Sequence, residues 1–254
     1  MLTTIFLMFE TLFSTEGLIS LFTLCVLEII LGIDNIIFVS IVAARLPKSQ
    51  QKQGRMLGML MALIARIGLL MAIGWIVSLD SDLFVVFGNG ISGRDLILLL
   101  GGLFLIIKST SEIHEKMAGE EEDENNIGKK QVSFGSVILQ IVLIDIVFSF
   151  DSILTAVGLV KDIGIMILAV VISLGFMLFF VNAVSEFVEK NPTVKMLALS
   201  FLIMIGTLLI GEGLGYHLPK GYVYFAMAFS FGVELLNMRI RVKKPAPQHH
   251  TEKE

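Results

Sequence analysis

Seven apolar stretches, most of them long enough to cross a lipid bilayer, follow one another along this 254-residue chain. About 20 apolar residues span the hydrocarbon core of a bilayer as a helix. Hydrophobic residues make up 55% of the chain and the mean hydropathy is +0.85, both far above a soluble domain. We therefore predict an all-α polytopic membrane protein. Its spans are residues 18–44, 56–77, 95–109, 134–160, 164–187, 194–214 and 222–237.

One pattern occurs in both the first and the fourth of these stretches. It consists of an acid, five mostly apolar residues, an aspartate, an asparagine or serine, and an isoleucine. It covers Glu28–Ile36 and, 117 positions later, Asp145–Ile153. An acid at bilayer depth costs about 2.5–3.5 kcal/mol on insertion scales. The presence of four such acids therefore predicts an ion pathway rather than buried acids that only hold helices together by hydrogen bonds.

Helix geometry places part of each motif on one face. Residues at i, i+4 and i+7 form one stripe, whereas the second acid of each motif lies about 120° away from it. We therefore expect either a bend or break in each helix, near Gly32 and Ser149, or pairing of acids from opposite halves. The two stripes are Glu28, Gly32 and Asn35, and Asp145, Ser149 and Ser152.

The chemistry of these side chains predicts a site for a hard divalent cation. Carboxylate, amide and hydroxyl oxygens suit Mg²⁺, Ca²⁺ or Mn²⁺ better than Cu⁺ or a zinc–thiolate centre. The four carboxylates need compensating positive charge, and Arg66 is the candidate charge partner within a span. The predicted oxygen ligands are Glu28, Asp34, Asn35, Asp145, Ser149, Asp151 and Ser152.

The two motif copies predict an inverted repeat. Three spans separate them, so the first and fourth spans cross the membrane in opposite directions. The third and sixth spans also match: Gly102–Ile107 is echoed by Phe201–Ile205, and Glu112 and Glu212 follow at matching offsets. Two inverted three-helix halves place a site at their interface near the midplane. We predict one membrane domain, residues 1–254, divided into repeat A (18–115), an acidic cytoplasmic loop (116–133), repeat B (134–215), and an extra helix with a basic tail (216–254).

Basic residues predict the orientation. Fifteen lysines and arginines fall on one side of the predicted spans and three on the other, with Arg66 inside a span. Because basic loops stay cytoplasmic, we expect the N-terminus outside and the C-terminus inside the cell. Glu112 and Glu115 fall at a predicted helix end, where we expect solvated acids.

These residues and motifs resemble the TerC family of bacterial integral membrane proteins. The similarity lies in the paired segments Leu27–Asn35 and Asp145–Ser152, and extends to Gly93–Leu105, Ser185–Lys190 and Lys195–Leu202. It implies a helical membrane protein related to the LysE transporter superfamily, with links to manganese export and tellurium resistance. The motif residues that it implies are Glu28, Asp34, Asn35, Asp145, Asp151 and Ser152.

We predict a secondary transporter of the bacterial inner membrane that exports a divalent cation, with Mn²⁺ favoured. We expect no enzyme activity, no resident cofactor and no nucleic-acid partner. Export of a cation is opposed by the membrane potential, and the chain has no Walker A pattern, so protons are the expected coupling ion. Two alternatives stay open. One is a non-transporting scaffold or metal-delivery partner for secreted proteins; the other is an intramembrane aspartyl protease using Asp34 and Asp151.

Overall fold

A computed structural model describes residues 14–78, 82–86, 89–118, 132–160, 162–216 and 219–242. Most of the predicted acidic loop and the basic tail lie outside these ranges. In the described part, helices are joined by short turns and by one β-hairpin. The elements are α1 (Thr15–Ala43), α2 (Lys48–Met71), α3 (Ile73–Ser78), β1 (Asp82–Val86), β2 (Asn89–Ser92), α4 (Gly93–Met117), α5 (Phe134–Leu159), α6 (Ile163–Lys190), α7 (Pro192–Gly213) and α8 (Lys220–Val242).

Polar residues and prolines set where the helices begin. Ser92 and Asp95 form a reciprocal capping box at the start of α4, in which the Ser92 hydroxyl accepts from the Asp95 N–H at 3.2 Å. The Asp162 carboxylate caps α6 by accepting from the Gly164 N–H at 2.8 Å. Pro192 opens α7, where its missing N–H costs no helical hydrogen bond. These caps allow long apolar helices to follow one another with very short connections.

The helices agree with an all-α polytopic membrane protein. Each of the seven predicted spans overlaps a helix, and the helix of the third, the shortest, continues to Met117. Within the described residues, α2, α4, α6, α7 and α8 are long and apolar enough to span a membrane, and α1 is a sixth if its two arms count together. In α5, the stretch Phe134–Phe150 is a shorter apolar helix. Seven spans therefore stay a prediction.

A two-stranded hairpin stands where the sequence analysis predicted only a connection. Strands β1 and β2 pair antiparallel, with Phe84 opposite Ile91 and Val85 opposite Gly90. Leu83 and Val85 are exposed, whereas Ile91 is buried. The hairpin ends at Ser92, the N-cap of α4, so it delivers the chain directly into the next long helix.

Within residues 1–218, each of the main helix contacts joins a helix from the first half of the sequence to a helix from the second half. The most extensive contacts join α4 to α7, α1 to α6 and α2 to α5. In the first pair, a Cβ atom at Gly102 would lie 2.5 Å from the Gly206 carbonyl oxygen, and one at Gly206 would lie 2.8 Å from the Gly102 carbonyl oxygen. Small residues at such a crossing let the two backbones touch, and the two glycines therefore set the distance between α4 and α7.

Residues 219–254 form a second compact unit, of which α8 is the described part. Tyr222, Phe225 and Phe229 are largely exposed along α8, and the rings of Phe225 and Phe229 stack with centroids 6.4 Å apart. An exposed aromatic and apolar surface of this kind suits a helix in contact with lipid.

Candidate ion site

Arg66 of α2 lies between a carboxylate of α1 and a carboxylate of α5. Its Nη1 donates to Glu28 Oε2, and its Nη2 donates to Asp145 Oδ1 at 2.7 Å. Arg66 is 5% exposed and Glu28 is 6% exposed. A guanidinium presents its donors as a planar fork that suits two carboxylates. Glu28, Arg66 and Asp145, called here the central triad, thus connect α1, α2 and α5.

Asp145 is the centre of a wider polar network. Its Oδ1 also accepts from Asn35 Nδ2 at 3.3 Å, and its Oδ2 accepts from the Ser149 hydroxyl at 3.1 Å. The hydrogen bond that Asn35 Nδ2 donates to Asp145 orients the Asn35 side chain. Asn35 Oδ1 is buried and has no hydrogen-bond partner among the described residues. A buried acceptor without a donor is unusual and leaves one oxygen available to a cation.

A small cavity adjoins this network. Its volume is about 30 Å³, and one water molecule needs roughly 10–15 Å³ measured in the same way. Asn35, Arg66 and Asp145 line it, together with apolar residues that include Met59 and Met177. The cavity therefore places polar groups at the edge of an apolar chamber, where weak dielectric screening strengthens their electrostatic interactions.

The charges of the central triad do not balance. Two carboxylates face one guanidinium, so the triad carries one excess negative charge when both acids are ionised. Burying ions costs several kcal/mol each unless geometry and hydrogen bonds compensate. The donors from Asn35 and Ser149 supply part of this compensation at Asp145. The remaining negative charge favours an additional cation.

The structure brings together only part of the predicted ligand set. Glu28, Asn35 and Asp145 converge on one region, and Arg66 lies at its centre rather than at its edge. Ser152 is buried, but its hydroxyl donates to the Ser149 carbonyl at 3.3 Å instead of reaching Asp145. Ser149 makes the contact to Asp145, as its position four residues later on the same face allows.

The second acid of each motif lies outside what can be described. The side chains of Asp34 and Asp151 are not among the described ones, and their role as ligands stays a prediction. In the described ranges, no group of three or more His, Cys, Asp or Glu residues could hold a metal ion. The described portion of the site therefore contributes two carboxylates and one free amide oxygen.

The helix α1 changes direction beside this network. Its arms Thr15–Ile30 and Asn35–Ala43 meet at 40°, with Gly32 between them. Met177 of α6 packs directly against Gly32 and fills the space that a Cβ would need. The backbone of α5 is helical from Phe134 to Leu159, through Ser149. The expected irregularity is thus a bend in α1, whereas α5 is continuous.

A second group of charges, of which Glu112 and Lys195 are buried, lies at or near the helix ends. Arg45 Nη2 is 2.5 Å from both Glu112 Oε2 and Glu115 Oε2, and Lys195 Nζ is 3.9 Å from Glu112 Oε1. These four residues are called here the helix-end cluster. Glu112 is only 5% exposed, so the expectation that it is a solvated acid was wrong. Arg45 lies in the turn between α1 and α2, far from Glu112 in sequence, so sequence spacing could not reveal this contact.

Comparison with known proteins identifies the family. The profile of the integral membrane protein TerC family matches residues 13–247, a range that contains both motif helices and α8. The chain belongs to the TerC family. The earlier resemblance is therefore confirmed, and the family is one of integral membrane proteins, consistent with a membrane transporter.

Relatives of this TerC family protein include some that match over nearly their full length. The UPF0053 protein of Haemophilus influenzae is 52% identical over 92% of this chain and 98% of its own. The UPF0053 inner membrane protein YgdQ of Escherichia coli is 51% identical over 94% of this chain and 99% of its own. The UPF0053 inner membrane protein YoaE of Escherichia coli is 48% identical, but the match covers only 42% of that longer protein. No solved structure matches the chain.

Proposed function

We propose that this protein is a secondary transporter that exports a divalent cation, with Mn²⁺ favoured. The observation that carries the proposal is the convergence of Glu28 and Asp145, the first acids of the two motif copies, on one buried network beside a cavity. Acids buried within membrane spans are costly and typically line ion pathways. Their equivalent positions in two sequence repeats suggest one shared site rather than two separate ones.

The proposed ligands are hard oxygens. Glu28 and Asp145 contribute carboxylates, Asn35 contributes its free Oδ1, and Asp34 and Asp151 are proposed to complete the set. Oxygen donors of this type favour Mn²⁺, Mg²⁺ or Ca²⁺ over soft metals. The preference for Mn²⁺ within this group comes from the resemblance to the TerC family, and a comparison of the three ions tests it.

Contacts between the helices support an inverted repeat. Exchanging the two halves turns the α1–α6 contact into the α5–α2 contact and leaves α4–α7 paired with itself. At the α4–α7 crossing, Gly102 meets Ile210 while Gly206 meets Ile106. These reciprocal contacts relate positions 104 apart, whereas Glu112 and Glu212 are 100 apart, so we propose Gly102 and Gly206 as the equivalent pair. A two-fold relation of this kind is common in secondary transporters.

Energetics favour a proton-coupled exporter. Moving one charge against 100 mV costs about 2.3 kcal/mol, and a divalent ion costs about twice that. Since the sequence has no ATP-binding motif, inward flow of protons is the proposed source of energy. We propose an inner-membrane location, which the names of the Escherichia coli relatives support, with the N-terminus outside and the C-terminus in the cytoplasm.

Ion flux in reconstituted vesicles tests the transport proposal. Purified full-length protein should move Mn²⁺ across vesicle membranes, and Mg²⁺ and Ca²⁺ should be compared under the same gradient. Protein that binds Mn²⁺ but moves none of the three ions would favour the scaffold alternative. Proteolysis that disappears on replacing Asp34 or Asp151 would favour the protease alternative.

Reporter fusions test the orientation. A reporter that requires the cytoplasm should be active after Glu254 and inactive after Lys161. Activity at Lys161 would contradict the opposite orientation of the two halves.

A further inference from the structure

The guanidinium of Arg66 occupies one oxygen of each of the two carboxylates that a metal ion would need. It engages Glu28 Oε2 and Asp145 Oδ1, and Asp145 Oδ2 accepts from Ser149. With Arg66 in this position, Asn35 Oδ1 is the oxygen beside the cavity that lacks a partner among the described residues. A single amide oxygen cannot replace the hydration shell of a divalent ion, for which six oxygen ligands are usual.

The position of Arg66 suits it to hold the two acids together. Its side chain is only 6% exposed, and it reaches acids on two different helices. Lysine, with a compact ammonium group, lacks the planar fork needed to hold two carboxylates at once. An arginine here neutralises one acid charge and distributes its remaining hydrogen bonds over both acids.

We propose that Arg66 is the internal counter-cation of the site, and that a divalent ion binds by displacing its guanidinium from Glu28 and Asp145. The inference rests on the transport function proposed above. Without bound metal, Arg66 prevents two uncompensated carboxylates from facing each other in the membrane. When a metal ion binds, it is coordinated by Glu28 and Asp145, and the Arg66 guanidinium moves away from these acids. Arg66 thus lowers the apparent affinity for the ion and favours its release.

The size of the effect follows from how often the acids are free of Arg66. The apparent dissociation constant equals the intrinsic one divided by the fraction of competent molecules. If the acids are free in about one molecule in ten, removing Arg66 strengthens ion binding about tenfold. Transport should fall at the same time, because the ion is released more slowly and the empty site keeps two unpaired acids. Removal of an arginine that served only to stabilise the fold would not raise the affinity for Mn²⁺.

The test compares Mn²⁺ binding and Mn²⁺ flux in full-length protein purified as wild type, Arg66→Gln and Arg55→Gln. Arg55 is a matched control, since it lies on the same helix but donates to Asn182 at 3.2 Å, outside the central triad. Arg66→Gln should bind Mn²⁺ about tenfold more tightly than wild type and transport it more slowly. Arg55→Gln should bind it as wild type does. Glu28→Gln should lose most of the binding in either background.

A second measurement identifies the guanidinium as the competitor. In Arg66→Ala the side chain leaves space, so guanidinium chloride at sub-denaturing concentration should weaken Mn²⁺ binding towards the wild-type value. The same salt should have no such effect in Arg55→Ala. If Arg66→Gln does not fold, Arg66→Lys carries the test, because an ammonium group lacks the rigid fork and should hold the two acids less firmly, so affinity should still rise.

The outcomes separate the inference from the function on which it rests. Wild type that binds and transports Mn²⁺, with equal or weaker binding in a folded Arg66 variant, overturns the role of Arg66 and leaves the transport function intact. Absence of Mn²⁺ binding from both wild type and Arg66→Gln overturns the transport function, and the role of Arg66 with it.

Discussion

The central triad and the helix-end cluster use the same chemistry for different purposes. Both hold a buried glutamate in contact with arginine, and both connect helices that are distant in sequence. The helix-end cluster contains two acids and two bases, and its charges balance. The triad contains two acids and one base, and it borders a cavity that is also lined by Asn35, whose Oδ1 has no hydrogen-bond partner in the part of the chain that the structure describes. Excess charge and available space, rather than burial, distinguish a candidate ion site from a structural ion pair.

The largest expected effect comes from removing the shared acid of the triad. Asp145→Asn keeps the shape of the side chain but removes a ligand charge, so Mn²⁺ flux should fall about 100-fold or more, beyond the 10–100-fold typical of outer-shell changes. Flux per amount of folded protein in vesicles is the measurement. Glu115→Gln, which changes an acid of the helix-end cluster, is the control. Equal loss in both variants would remove the distinction between the two groups.

A change in the helix-end cluster should affect stability instead. Glu112→Gln leaves Arg45 with Glu115 alone and should lower the free energy of unfolding by about 1–3 kcal/mol, the typical cost of an unmet buried polar group. Thermal unfolding of the purified protein measures this. Mn²⁺ flux per folded molecule should be nearly unchanged. A selective loss of flux without loss of stability would assign this cluster a transport role.

The free amide oxygen of Asn35 should contribute more modestly to ion binding. Asn35→Leu replaces the amide by an apolar side chain of similar size and so removes the oxygen, and Mn²⁺ affinity should fall about tenfold, equivalent to roughly 1.4 kcal/mol. Titration of the purified protein with Mn²⁺ measures the change. Ser152→Ala is the matched comparison, since the Ser152 hydroxyl binds a backbone carbonyl, and its effect should be smaller. A larger loss of Mn²⁺ affinity in Ser152→Ala than in Asn35→Leu would place the ion nearer to Ser152.

The smallest effect is expected at an exposed ion pair. Glu186 Oε1 and Lys190 Nζ lie 2.6 Å apart, and the two residues are one helical turn from each other. Both side chains are about two-thirds exposed. Glu186→Gln should change neither flux nor thermal stability measurably, because exposed pairs contribute little. A clear loss of flux would mean that acidic charge alone, irrespective of its position, supports transport.

Much of the candidate site could be predicted from sequence because its signals are local. Glu28 and Asp145 are acids inside apolar spans, and their spacing repeats, so their importance follows from the cost of burying charge. The alignment of Asn35 and Ser149 with these acids follows from helix periodicity. Arg66 was recognised as a candidate charge partner for the same reason. None of these predictions required knowledge of which helices touch.

The features that sequence analysis missed depend on contacts between distant segments. Glu112 lies at a helix end, where solvation is the ordinary expectation, but it is buried and pairs with Arg45 of the α1–α2 turn and with Lys195 of α7. The reciprocal approach of Gly102 and Gly206 likewise depends on how α4 crosses α7. The match of Glu112 with Glu212 in the sequence instead suggested an alignment of the two helices that differs by four residues.

The sequence by itself determined that this is a helical membrane protein with a duplicated acidic motif, because hydropathy and periodicity are properties of single segments. Tertiary structure decided that Arg66 stands between the two motif helices, that Asp145 gathers the network, and that a cavity adjoins Asn35. The physical reason is that an ion pair needs distances of a few ångströms between side chains from different helices. Those distances are set by helix packing, which no single segment encodes.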